Sequence, residues 1–87
     1  MLYRIVTQRK RVRRIRKICN RLFDGYTMYP ADGAWKGIAE KSLVVEVLTD
    51  GLSYASVRVK QAAQEIRELN RQECVLVQSF PCNGVLV

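Results

Sequence analysis

The apolar positions alternate at the start of the chain and then change period. Leu2–Gln8 places Tyr3, Ile5 and Thr7 on one side and Leu2, Arg4 and Val6 on the other. Two-residue alternation of β-branched and aromatic side chains predicts a strand. Val12, Ile15, Ile18, Cys19 and Leu22 then recur at helical spacing. They predict a helix from Lys10 to Leu22, ended at Asp24-Gly25, where glycine serves a left-handed exit. Tyr26–Tyr29 is a short aromatic run. Asp32-Gly33 is the two-residue signal of a tight hairpin. The return strand is predicted from about Ala34-Trp35-Lys36, with Gly37 as a bulge or break. Ser42–Leu48, interrupted only by Glu46 in its apolar run, predicts a central strand. Asp50-Gly51 turns the chain and Ser53 is placed to cap a second helix. Val59, Ala62, Ala63, Ile66 and Leu69 mark the apolar stripe of that helix, and Asn70 lies near its end. Cys74–Val77 reads as the last strand, with Cys74 as a small core residue. Phe80–Gly84 reads as a turn, and the apolar Val85-Leu86-Val87 is expected to pack or pair.

The order β-α-β-β-α-β predicts a single α+β domain with a ferredoxin-like layout: a four-stranded antiparallel sheet with two helices on one face. The other face stays uncovered. A chain of 87 residues buries only about 60–65 % of its unfolded surface, so a homo-oligomer is expected.

Charge changes this picture. The net charge is +7, but residues 1–23 hold nine basic residues and no acid, while residues 24–87 carry −2. Arg9, Lys10, Arg11, Arg13, Arg14, Arg16, Lys17 and Arg21 are eight cations in thirteen residues. Like charges three and four apart on a helix repel, and early positive charge opposes the helix dipole. A polyanion relieves that repulsion and gains counterion release. The bland alternative is a solvated helix face. The expected partners are nucleic acid or a nucleotide-derived ligand, or an acidic protein surface; an anionic membrane is a weaker fit.

Other chemistry is narrowed by what the chain lacks. There is no histidine, which removes Ser–His and Cys–His catalysis and histidine-containing zinc sites. Cys19, Cys74 and Cys82 form no C-x-x-C pair, so neither a disulfide framework nor a metal site is predicted. No cofactor is implied. No apolar run reaches the roughly 20 residues of a membrane span, and a cytoplasmic location is expected.

A second cluster is aromatic and polar: Tyr26, Thr27, Tyr29, Trp35, Lys36, Glu40 and Ser42. Rings with a few polar groups can clamp a nucleotide, Trp35 and Tyr26 stacking, Glu40 accepting from an amine or ribose hydroxyl, and Lys36 meeting phosphate. The bland reading is cross-strand packing.

Gly25-Tyr26-Thr27, Gly33-Ala34-Trp35, Glu40-Lys41-Ser42 and Gln72-Glu73-Cys74-Val75-Leu76 together resemble a group of small bacterial domains of unknown function. Their pattern is G-[FY]-T, G-x-W, E-x-S and Q-E-x-V-L, here across about residues 23–78. The resemblance implies a ferredoxin-like α+β fold and no activity, and the Arg-rich first helix departs from it.

The residues thus predict a non-enzymatic binding protein that docks a basic helix on a phosphate-rich partner. The alternatives are a nucleotide-sequestering protein, of the kind a phage would use against a host defence, and an inhibitor docking on an acidic protein site.

Overall fold

The computed structural model describes residues 1–49 and 53–87. It contains β1 (Leu2–Gln8), α1 (Val12–Leu22), β2 (Thr27–Trp35), β3 (Ile38–Leu48), α2 (Ser53–Asn70) and β4 (Leu76–Phe80). The strands form one antiparallel sheet in the order β2-β3-β1-β4, the predicted ferredoxin-like arrangement. The expected Asp50-Gly51 turn lies outside the described residues, and so does the Ser53 side chain with its expected cap.

Alternation in β1 sorts its side chains as predicted. Ile5 pairs with Val45 and Val77, and Tyr3 with Val47. This face meets the helical stripes, so that Ile5, Ile15, Cys19, Val45, Val59 and Ile66 are fully buried. Each such aliphatic side chain contributes about 1.5–3 kcal/mol by leaving water. On the other face Arg4 and Glu46 stand opposite in the β1–β3 register and form an ion pair of 2.9 Å. The Arg4 guanidinium also lies 4.9 Å from the centre of the Phe80 ring. Tyr29, Val44, Val6 and Leu76 make an apolar row across that uncovered face.

Several local expectations are corrected. The hairpin does not turn at Asp32-Gly33. β2 runs through both residues to Trp35, which pairs with Ile38, and the turn is Lys36-Gly37, with φ of 51° and 79°. A turn at Asp32-Gly33 would pair Ala31 with Ala34 and Thr27 with Ile38, so that β2 would miss the stretch Ser42–Leu48 that pairs with β1. Pro30 and Gly33 are tolerated because β2 is an edge strand. α1 begins at Val12, two residues later than predicted, and leaves through an extended Phe23; Gly25 is not left-handed. β4 starts at Leu76, so Cys74 precedes it and is exposed, not a core residue. Phe80 belongs to β4, and Val85, Leu86 and Val87 are exposed instead of packed. No helix among the described residues is long and apolar enough to cross a membrane.

Candidate functional site

β1 stops at Gln8 and turns into α1, while its neighbours on both sides run on. The β2–β3 hairpin extends past it on one side, because Gln8 pairs with Ser42 and β3 begins at Ile38. The lead into β4, residues 71–75, extends past it on the other, because Val6 pairs with Leu76. The missing strand leaves a gap of two strand spacings, roughly 10 Å. A cleft of about 620 Å³ fills that gap.

Trp35, Glu40 and Ser42 line the cleft from the hairpin, and Arg71, Gln72, Glu73 and Cys74 from the lead into β4, with Val6 and Gln8 on the β1 side. Gly33 also lines this wall, and a Cβ there would come within 3.1 Å of the Ser42 Oγ. Trp35 is 53 % exposed. The Lys36 ammonium stands 5.9 Å from the centre of its ring, so the ring already faces a cation. Thr7, Gln72 and Asn70 tie the far wall down. The Thr7 hydroxyl donates to Gln72 Oε1, and the Gln72 amide reaches the Cys74 carbonyl at 3.3 Å. Thr7 and Asn70 are both buried, and no buried side-chain nitrogen or oxygen among the described residues lacks a partner.

The sequence-predicted ligand cluster therefore divides. Trp35, Glu40 and Ser42 meet in the cleft, and Lys36 stands beside them. Tyr26 and Thr27 do not join them. They sit at the other end of β2, eight or nine residues or about 27–30 Å from Trp35. The Tyr26 hydroxyl donates to Asn20 Oδ1 at 2.6 Å, and its half-buried ring packs on the core. Tyr29 lies on the uncovered sheet face. Arg71, Gln72, Glu73 and Cys74 are cleft residues that the sequence does not mark as ligand-binding. Their one sequence signal is the Q-E-x-V-L block, all five residues of which line the cleft.

The basic segment is spread over the outer surface of α1. Lys10, Arg11, Arg13, Arg14, Arg16, Lys17 and Arg21 are exposed, and Arg9 is half-buried. Arg21 forms an ion pair with Glu65 on α2, and its hydrogen bond lowers the Glu65 carboxyl below its usual value. The Arg11 guanidinium lies 3.5 Å from Asn70 Oδ1. None of the other six is in an ion pair among the described residues. Cys19, beneath them, is pushed up to about 11 by burial, against the opposing pull of Arg16. Its thiol is therefore inert near neutral pH. Among the described residues no three His, Cys, Asp or Glu side chains group as metal ligands.

A second hollow, of about 230 Å³, lies at the opposite end of the sheet, between Phe23, Asp24, Tyr54 and Arg58. It brings together none of Trp35, Glu40 and Ser42.

No protein-family model matches the chain, and no curated protein matches it by sequence. Solved structures share its fold. One is described as a phage SAM lyase in the apo state: the match has a TM-score of 0.70 at 21 % identity and covers 87 % of this chain and 75 % of that one. Another is the de novo designed protein Foldit4, with a TM-score of 0.54 at 18 % identity and 94 % of both chains covered. At these identities the likeness shows the fold, which hosts an enzyme in one case and a designed chain in the other; a fold alone assigns no activity. The expectation of a non-enzymatic protein gains no support, since one of these similar structures is described as an enzyme.

Proposed function

We propose that the protein binds a nucleoside-derived sulfonium of the S-adenosylmethionine class in the cleft beyond β1, and that it acts on this ligand as a lyase. The observation that carries this reading is the convergence of Trp35, Glu40 and Ser42 with Arg71–Val75 on one cavity. About 620 Å³ falls within the roughly 300–1,000 Å³ of small-molecule sites. The lining is chemically mixed in a way that suits a zwitterion. Trp35 offers a ring face to a base or to a cation, Glu40 and Glu73 offer carboxylates, and Arg71 offers a guanidinium. The likeness in fold to a phage SAM lyase supports the choice among nucleoside ligands.

A lyase breaks the sulfonium carbon–sulfur bond without water. The bonding pair returns to sulfur, which leaves as a neutral thioether. The carbon side either loses a neighbouring proton to a base, its C–H pair becoming the new double bond, or is closed by the ligand's own carboxylate. Glu40, held on the hairpin, is the base in the first course. The test is incubation with S-adenosylmethionine followed by mass spectrometry. A nucleoside thioether should accumulate; Glu40→Gln should suppress it if the other product is the alkene, and should leave it largely intact if the other product is the lactone. Unchanged S-adenosylmethionine together with no detectable binding overturns the proposal.

A second reading rests on a separate observation, the exposed Arg13, Arg14, Arg16 and Lys17, which have no ion pair among the described residues. On this reading α1 engages a phosphate-rich partner. Binding of generic DNA and RNA should then fall steeply as salt rises, and Arg13→Glu with Arg16→Glu should abolish it. Capture of an acidic protein that survives nuclease treatment would point to the inhibitor alternative. The exposed Tyr29 and Leu76 at the two ends of the apolar row on the helix-free sheet face support a homo-oligomer, which sedimentation measures directly.

A further inference from the structure

Three residues other than glycine have positive φ among the described residues: Arg11 (53°), Lys36 (51°) and Arg71 (53°). All three are cations. The topology brings all three to one end of the sheet, since the β1–α1 junction, the β2–β3 turn and the α2–β4 junction all lie where β1 stops. Left-handed backbone is costly for a residue with a Cβ, and each of these positions has a better local solution.

Arg71 is the clearest case. The Arg71 N–H donates to the Glu68 carbonyl at 3.3 Å, and the Gln72 N–H to the Arg67 carbonyl at 3.0 Å. That is the paired closure of a helix end in which glycine ordinarily takes the left-handed residue. A cation here does complement the α2 dipole, but Arg67 already does so from the last turn without strain. Arg11 is the less favourable case for its helix. It sits as the N-cap of α1 with no side-chain cap and no acid in the first turn, where serine, threonine, aspartate or asparagine would satisfy free N–H groups and where a positive charge opposes the dipole. In the Lys36-Gly37 turn, asparagine would take the place of Lys36 with less strain. Local rules broken together around one cavity mark positions kept for something other than stability.

Resting on the reading of the cleft as the ligand site, we infer that Arg71, backed by Arg11, forms an anion subsite of the cleft and receives the carboxylate of the bound ligand. Arg71 lines the cleft. The Arg11 guanidinium reaches the side chain of Asn70, the residue before Arg71, at 3.5 Å, and so adds positive charge behind the Arg71 position without lining the cleft itself. Neither is in an ion pair among the described residues, which leaves the planar fork of Arg71 available for two parallel hydrogen bonds to a carboxylate. The two ends of the cleft then divide the ligand: ring and carboxylate side chains of the hairpin meet its cationic, nucleoside part, and Arg71 meets its anionic part.

Trp35 is the single tryptophan of the chain and lines the cleft, so its fluorescence reports occupancy. The experiment titrates wild type, Arg71→Gly and Arg71→Lys with S-adenosylmethionine and with its decarboxylated counterpart, and records the melting temperature of each protein. The wild type should bind S-adenosylmethionine about ten- to hundredfold more tightly than the decarboxylated form, the range of one charge-assisted pair. Arg71→Gly should erase that preference while melting no lower than wild type, and Arg71→Lys should recover part of it. Equal binding of both ligands by the wild type, or a preference that survives in Arg71→Gly, overturns the subsite and leaves the cleft reading standing. Binding of neither ligand by the wild type overturns both.

Discussion

Beneath the two helices, the sheet presents Ile5, Val45 and Val47 to Ile15, Val59 and Ile66, all buried, each on the periodic position its element requires. At the end of the same sheet, where β1 stops, the chain holds three cations in left-handed backbone, starts α1 without a side-chain cap and leaves a strand-wide gap. The first region follows the local rules of helices and strands at every position, and the second breaks several within a few residues of one cavity. On the proposed reading, the difference separates the residues that make the fold from those that bind the ligand. Substitutions under the helices should cost stability and leave ligand chemistry alone, whereas substitutions around the gap should do the reverse.

The largest expected effect lies in the first region. Ile66→Ala removes a fully buried side chain and should cost about 2–5 kcal/mol, measured by urea unfolding, a large part of the roughly 5–15 kcal/mol available to a domain. A cost below about 1 kcal/mol would contradict the assignment of the core. Next is the buried Cys19 thiol, whose folded value of about 11 lies above the ordinary 9.0. The folded chain holds this proton more tightly than the unfolded one. The resulting stability is complete below pH of about 9 and is lost as pH rises through about 11, an effect on the order of 2–3 kcal/mol. The alkaline slope of wild type minus Cys19→Ala measures it, and identical slopes would refute it. In a thiol assay on the native protein, the exposed Cys74 and Cys82 should react while Cys19 does not.

Around the gap the signs reverse. Trp35→Ala should weaken ligand binding by about 1–3 kcal/mol, the worth of an aromatic stack, with little change in unfolding, because the ring is half exposed; calorimetric titration reads the first and urea the second. Arg11→Gly should stabilise the protein by about 1–2 kcal/mol by relieving the left-handed backbone, and a loss of stability there would contradict the claim that Arg11 is held at a cost. The smallest effect is expected for Glu65→Gln, which breaks the exposed pair with Arg21 and should change stability by less than about 1 kcal/mol.

The two regions also differ in how far they could be read from the sequence. β1, β3 and the stripes of both helices were legible because burial on one side repeats with the period of the element. The hairpin tip was not. Asp32-Gly33 carries a stronger local turn signal than Lys36-Gly37, but only the later turn lays β2 along the stretch of β3 that pairs with β1, with Tyr29 beside Val44. The exposure of Val85–Val87 was not legible, because apolar content says nothing about whether a neighbour is within reach. Within the candidate site, Trp35, Glu40 and Ser42 were legible as a cluster because they lie close together in the chain. Arg71–Cys74 were not, since the sheet order, not proximity in sequence, brings them across the gap. Tyr26 and Thr27 part from Trp35 for the same reason: few residues separate them in sequence, but an extended strand carries them to the far end.

The central claim is that the cleft beyond β1, and not the outer face of α1, receives the small ligand. Backbone amide shifts of the isotope-labelled protein, followed by NMR while S-adenosylmethionine is added, test it most directly. The predicted result is a saturable set of changes at Gly33, Trp35, Glu40, Ser42 and residues 71–76, with Arg13–Lys17 unmoved. Changes confined to α1, or none at all, would contradict it.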